Sequence, residues 1–327
     1  MQKLFKQFNN LHILIIGDVM MDSYLWGNVE RISPEAPVPI ISVSKKENRL
    51  GGASNVALNI QALGATPHIC AVVGTDIEGD EFIKILQTQN LSSQGILQIA
   101  NRPTTVKTRV IGHHQQMIRI DAEVDEELSE ENSMLLLSRI NQILESRKID
   151  AIIFEDYDKG VISEYLIEKV VKLAKEKNII TLADPKKRNF LSYKEVTLFK
   201  PNLKELREGL KIEVDAGNAD VLELAVQKLQ KKLQADMVMV TLSERGVYMK
   251  SKNGSKIIPA HVRDIADVSG AGDTVIATAA VCLAAGLDEF NTAAISNLAG
   301  GLVCQYVGVV PINKEELLKE VEAISPT

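Results

Sequence analysis

The segment "DVSGAGDTVIATAAVCLAAG", residues 267–286, sets Gly270, Ala271 and Gly272 ahead of a lone acid, Asp273, and then continues as an Ala-rich run. The run predicts a helix that starts near Gly272 and ends before Gly286. The first-turn N–H groups of a helix have no internal partner, and the helix dipole is positive at that end. Residues without bulk let an anion come close to those groups. Phosphate is the guest such a loop suits, and a carboxylate beside it can accept the proton of a hydroxyl. The chemistry read from these residues is transfer of a phosphoryl group to a hydroxyl. Gly270, Ala271 and Gly272 form the anion hole and Asp273 is the base; an ordinary ionised carboxylate suffices for that. A helix start with a stabilising acid in its first turn would look the same on its own.

Three more groupings bear on that choice. "FKPNLKEL" puts Asn202 and Glu205 three apart at a helix start. This is the spacing of a capping box, and it also suits an Asn/Glu pair that orients Mg²⁺ through water on nucleotide phosphates; one structure can hold both. In "GGASNVALN", Gly51 and Gly52 allow a ligand near the backbone, and Asn55 can donate to and accept from sugar hydroxyls. The alternative is a glycine turn before an ordinary helix. "IIGDVMMD" places Asp18 and Asp22 just past a first strand, at the end where open α/β sheets bind ligands. Carboxylates there are acceptors for paired sugar hydroxyls.

The elements that must position these residues alternate. Short, mostly β-branched apolar runs at 12–17, 68–74, 150–156, 179–184, 196–201 and 236–242 read as buried parallel strands. Segments 53–64, 78–90, 163–178 and 218–234 between them have helical spacing. The expected fold is α/β, a doubly wound, mostly parallel sheet in a single domain over 1–327. Two stretches break the rhythm. Residues 22–48 carry three prolines and the only Trp, and 103–121 alternate polar and apolar. Both are assigned to a small β-sheet that stands off the main body as a lid; decorative hairpins are the plainer reading.

Composition bounds the rest. The 327 residues are 45% hydrophobic, with mean hydropathy near zero and a net charge of −6. A sizeable core is expected, with no basic footprint for nucleic acid. The apolar run "LHILII" is too short for a membrane span and lacks a signal-peptide cleavage pattern. Cys70, Cys282 and Cys304 are far apart with no CxxC, which fits buried, reduced thiols in a cytoplasmic protein rather than a zinc site. No GxGxxG follows the first strand and GxxxxGK[ST] is absent, which disfavours a nicotinamide dehydrogenase and a Walker-type NTPase. A sugar-sensing protein without catalysis remains a rival, disfavoured by the presence of both Asp273 and the glycine loop.

In this order, the motifs resemble those of the ribokinase-like (PfkB-type) carbohydrate kinases, over roughly residues 11–312. Ser269 stands where that family usually has Thr. The resemblance implies that Asp273 is the catalytic base and 270–272 the anion hole, and that ATP with Mg²⁺ is used. Thr241, Ser243 and Gly246 in "VTLSERGV" match the loop near the nucleotide, and Asn297 a helix position near adenine. Asp267 and Ser269 match positions that in some members help bind a monovalent cation such as K⁺. "RISPEAPVP", "RLGGASNVALNIQALGA", "QQMIRID", "DYDKGVI", "ADPK" and "KPNLKE" look most like the D-glycero-D-manno-heptose 7-phosphate kinase domain of ADP-heptose synthesis proteins. That likeness implies formation of the 1,7-bisphosphate on the way to the heptose of lipopolysaccharide; another sugar, sugar phosphate or nucleoside is the alternative. No His-x-Gly-His element occurs, so a kinase without the nucleotidyltransferase is expected. Lys186 is assigned to ATP phosphate oxygens, with a solvated loop lysine as the alternative. The sugar's own phosphate needs cations: Arg109 and Arg119, with Lys107 and His113 nearby, where 107 and 109 share a strand face. His113 and His114 depart from the heptose-kinase pattern. Val38, Ile40, Ile41 and Val43 are apolar enough to pair two lids in a homodimer.

Overall fold

The structure, a computed structural model, describes residues 1–112, 115–261 and 263–324. His113 and His114 lie outside them. The strands are β1 (His12–Gly17), β2 (Val19–Ile32), β3 (Pro39–Gly52), β4 (Thr66–Gly74), β5 (Ile96–Ile99), β6 (Val106–Gly112), β7 (Gln115–Ala122), β8 (Ala151–Glu155), β9 (Ile180–Asp184), β10 (Leu198–Phe199), β11 (Met237–Thr241), β12 (Val247–Ser251) and β13 (Gly254–Ile258). The helices are α1 (Gln2–Gln7), α2 (Ala53–Ala62), α3 (Ile77–Thr88), α4 (Glu130–Ser146), α5 (Glu164–Glu176), α6 (Leu203–Leu210), α7 (Ala219–Leu233), α8 (Ala271–Ala284), α9 (Glu289–Val303) and α10 (Lys314–Ile324).

Among the described residues, nine strands form one sheet in the order β13-β12-β11-β10-β9-β8-β1-β4-β5. It is parallel from β11 to β5 and antiparallel at β12 and β13. The strands are apolar on both sides because helices cover both faces. Ile13, Ile15, Ile69 and Ile153 pack with α2, α3, α8 and α9. Leu14, Ile16, Ile152 and Phe154 pack with α4, α5, α6 and α7. The chain winds from β1 through β4 to β5 on one side, and from β8 outward on the other. The strand order therefore reverses between β1 and β8, where a doubly wound sheet opens a crevice at its carboxyl ends.

A second sheet, in the order β3-β2-β6-β7, stands off this body. Its hairpin, β2 with β3, has two arms of 14 residues each. The inner ends, Val19–Tyr24 and Leu50–Gly52, are buried. The lid thus begins at residue 19 and ends at 52 on its first segment, wider than the 22–48 read from sequence, because its feet are built into the core. Its second segment spans 106–122 within and just beyond the expected 103–121. Along β3, adjacent Ile40 and Ile41 face opposite sides, so the four apolar residues expected to form one pairing face do not share it. Val38 and Val43 are exposed, as are Ile118 and Ile120 on β7.

At the opposite end of the sheet, His12 on β1 and His68 on β4 share a ring-to-ring hydrogen bond of 3.1 Å. Burial, with Arg147 and His12 adding to it, lowers the His68 pKa from 6.5 to about 4. Below pH 6.5 the unfolded chain takes up a proton that folded His68 refuses. Its stability contribution is therefore complete above pH 6.5 and lost as pH falls toward 4. Urea unfolding of wild type and His68→Gln should show a stability difference that narrows between pH 7 and 4.5; a difference constant with pH refutes this role.

Candidate active site

Most long helices of this chain begin with a side-chain cap. Asp76, Ser129, Ser163, Asn202, Asn218 and Asp288 cap α3, α4, α5, α6, α7 and α9. α2 and α8 have none. Their N-cap residues are Gly52 and Gly270, at φ 60° and 78°, a region that favours glycine. A cap is worth about 1 kcal/mol, and these two adjacent helices begin without one; backbone carbonyls of Asp18 and Val268 take only their first N–H groups, those of Ala53 and Ala271. The two ends converge: Asn55 Nδ2, in the first turn of α2, donates to Asp273 Oδ2 at 2.7 Å. The other Asp273 oxygen accepts from the Tyr157 hydroxyl at 2.8 Å.

Asp273 is 7% exposed. Burial raises its pKa from 3.8 to about 6; the bonds from Asn55 and Tyr157 pull it down, Asp184 pushes it up, and Lys200 pulls it down. At neutral pH it remains mainly ionised. Around it stand further groups from the strand ends. Lys200 Nζ contacts Asp184 Oδ2 at 2.7 Å, with both side chains buried. Lys186 Nζ contacts Glu205 Oε1 at 2.7 Å. Glu155, fully buried, is held well above the carboxylate range by burial and by Asp184 and Asp273. A Cβ added at Gly272 would stand 3.8 Å from Asp184 Oδ2 and Lys200 Nζ. Packing therefore does not require this glycine; a side chain there would stand over the open helix end, above the ion pair.

Beside that end lies a cavity of about 630 Å³. It is lined by Thr241, Ser243, Gly246, Asn297, Ala271 and Gly272, and by Arg263 and His261 from the segment after β13. Asn297 ties α9 to that segment by donating to the Pro259 carbonyl at 2.9 Å. Asn202 and Glu205 make a complete capping box on α6. Asp267 accepts from the N–H groups of Ser269 at 2.9 Å and Gly308 at 3.0 Å.

One expectation is corrected, and several other expected residues are engaged within the chain. Asp18 does not face a ligand. It is 1% exposed, and its carboxylate accepts from the N–H groups of Tyr157, Lys159 and Val161 at 2.8, 3.1 and 3.1 Å. It serves the loop after β8. Gly51 and Gly52 also stand close to the chain itself. A Cβ on Gly51 would lie 2.6 Å from Asp22 Oδ2, and one on Gly52 would strike the Asp18 carbonyl. Arg109 is ion-paired with Asp22 at 2.6 Å and lies over the Tyr24 ring. Lys107 and Arg119 are engaged by acids: Lys107 by Asp121 and Glu123, Arg119 by Asp121. Tyr157, Glu155, Asp184 and Lys200 were not singled out. Three of them lie in the quoted stretches "DYDKGVI", "ADPK" and "KPNLKE", and all four lie at or just past a strand's carboxyl end. Arg49 was missed too; it stacks on Tyr24 at 4.9 Å and reaches toward Gly308.

The chain is similar to known proteins in sequence and in fold. The chain is 40% identical over 311 residues to the bifunctional protein HldE of Methylobacillus flagellatus, covering 95% of this chain and 63% of that protein. It is 38% identical over 305 residues to the HldE of Helicobacter pylori, covering 93% and 65%. The chain thus spans a little under two thirds of the length of these relatives. In fold it is similar to phosphofructokinase-2 from Escherichia coli in complex with potassium (TM-score 0.76, 17% identity, 96% and 98% of the two chains). It is likewise similar to Arabidopsis thaliana ribokinase complexed with ribose and ATP (TM-score 0.72, 17% identity, 95% and 99%). The profile of pfkB family carbohydrate kinases matches residues 10–316, and the chain belongs to that family.

Proposed function

We propose that this chain uses ATP to phosphorylate the anomeric hydroxyl of D-glycero-D-manno-heptose 7-phosphate, giving the 1,7-bisphosphate for ADP-heptose and lipopolysaccharide synthesis in the cytoplasm. The carrying observation is the buried carboxylate of Asp273 at the mouth of an uncapped helix beside a large cavity. The substrate assignment is supported by the lid motif "RISPEAPVP" and by the identity to proteins named HldE.

In this reading the sugar hydroxyl lies against Asp273, which takes its proton as the new O–P bond forms and the bond from the γ-phosphorus to the bridging oxygen breaks, with ADP leaving. The transition state is loose, so positioning and charge neutralisation dominate. The open N–H groups of α8 receive the transferring phosphoryl oxygens. Thr241, Ser243, Gly246 and Asn297 line the nucleotide's cavity, and Lys186 meets its phosphates. The Asp184 carboxylate, near Gly272, suits Mg²⁺, which uses one or two carboxylates together with substrate phosphates. Mg²⁺ would neutralise phosphate charge there, with Asn202 and Glu205 contacting it through water. Asp267 and Ser269 are the place for a monovalent cation. Arg109, with Lys107 and Arg119, receives the sugar phosphate. The exposed apolar residues of the lid sheet form the contact of a homodimer; sedimentation at the monomer mass removes that part.

A panel of sugars and sugar phosphates, followed by ATP consumption, should give highest kcat/KM with the heptose 7-phosphate; preference for a fructose phosphate or a nucleoside reassigns the substrate. Asp273→Asn should lose on the order of 10²-fold or more in kcat. With its folded pKa above the unfolded value, the ionised form costs stability above pH 6, and that cost vanishes as pH falls through 3.8. The variant should therefore melt no lower than wild type at pH 8. Undiminished turnover removes the base assignment. Gly272→Ala should keep the melting temperature and lose about tenfold or more in kcat; full activity argues against the anion hole.

A further inference from the structure

Tyr157 reaches the base from the opposite side to Asn55, on a loop with unusually firm anchoring. Asp18 accepts three of its N–H groups, and Asp156 Oδ1 accepts the N–H of Asp158 at 2.8 Å. Asp156 is itself held by the Tyr193 hydroxyl at 2.7 Å. Asp158 and Gly160 sit at φ 60° and 80°, so the loop is wound tightly rather than extended. Its one side chain directed onto the reacting group is the phenol, 2.8 Å from Asp273 Oδ1. We infer that Tyr157 is a positioning residue for the base: the loop tied down by Asp18 delivers its hydroxyl to Asp273, fixing the carboxylate's orientation and favouring its proton-accepting form.

The physical basis is the direction of the bond. A phenol donates to a carboxylate and so favours the ionised form. Burial and the neighbouring Asp273 and Glu155 hold the Tyr157 hydroxyl well above 10, so it remains a donor throughout the working range. The groups facing Asp273 from every side are Asn55 on α2, Tyr157, Glu155 at the end of β8, Asp184 at the end of β9 and Lys200 after β10. Burial and Asp184 oppose ionisation. Asn55, Tyr157 and Lys200 support it, and of these Asn55 and Tyr157 bond to it directly. Loss of the Tyr157 hydroxyl leaves Asn55 as the one direct donor.

The inference rests on Asp273 acting as the base, and its test separates the two. kcat/KM is measured from pH 5 to 9 with ATP and whichever sugar the wild type turns over, for wild type, Tyr157→Phe and Asp18→Asn. Substrate phosphates titrate identically in all three, so the readout is the difference between profiles. Tyr157→Phe should move the acid limb up by about one pH unit. Activity then falls about fivefold at pH 6 and less than about threefold at pH 8.5. Asp18→Asn weakens the loop's anchor while leaving the phenol in the chain, and should shift the limb the same way by less. It decides the matter should Tyr157→Phe fail to fold. A purely structural role would lower activity equally at every pH or raise KM alone. Limbs that coincide with wild type overturn the inference while leaving Asp273 as base; full activity of Asp273→Asn overturns the base assignment itself.

Discussion

Keeping a carboxylate charged away from water is the constraint around which this active site is arranged. Asp273 is almost sealed, and burial alone drives it toward the neutral acid. Two donors of different origin oppose that drive, one from the first turn of α2 and one from the loop after β8. Neither would reach it without the strand reversal between β1 and β8, which brings the end of β8 beside the end of β1. The fold's topology and this carboxylate's protonation state are thus the same problem seen at two scales.

The same reasoning explains the crowd of acids around it. Asp18, Asp156, Glu155 and Asp273 all have raised pKa values from burial, as acids gathered at the carboxyl ends of parallel strands with little water. Lys200 offsets part of this. Burial pushes its own pKa down, but Asp184 and Glu205 hold it above its ordinary value. Removing one partner of such a buried pair typically costs about 3–5 kcal/mol. The two glycine-started helices add to the expense by forgoing caps that their neighbours possess. Local stability is given up where an anionic ligand would restore it.

The alternating strands and helices were legible because both periods are strong and because buried parallel strands are uninterrupted apolar runs. The helix beginning at Ala271 was legible from its glycines and its acid, and the capping box at Asn202 from its spacing alone. Asp18 was misread because its partners are backbone N–H groups from a loop nearly 140 residues away, which have no signature in a sequence. Gly51 and Gly52 were legible as places of close approach, but not that the chain's own Asp22 and Asp18 come close there. Tyr157 and Lys200 sat within recognisable motifs, but their purpose depends on which strands are neighbours. The lid's second segment was found by its alternation and its first by its prolines and lone Trp, whereas the buried feet of the first look like core.

The long hairpin is rooted in this arrangement at both feet. β1 passes into β2 through Asp18, and β3 passes straight into α2 at Gly52. The Ala53 N–H donates to the Asp18 carbonyl at 2.9 Å and clamps the two feet together. One foot therefore carries the residue that secures the Tyr157 loop, and the other carries the helix turn that bears Asn55. Beyond its buried feet the hairpin projects about eight residues of extended chain, roughly 25 Å, and a tilt of about 5° at its root sweeps the tip through about 2 Å. Whatever loads the tip applies torque at the fulcrum where both of the aspartate's donors are mounted.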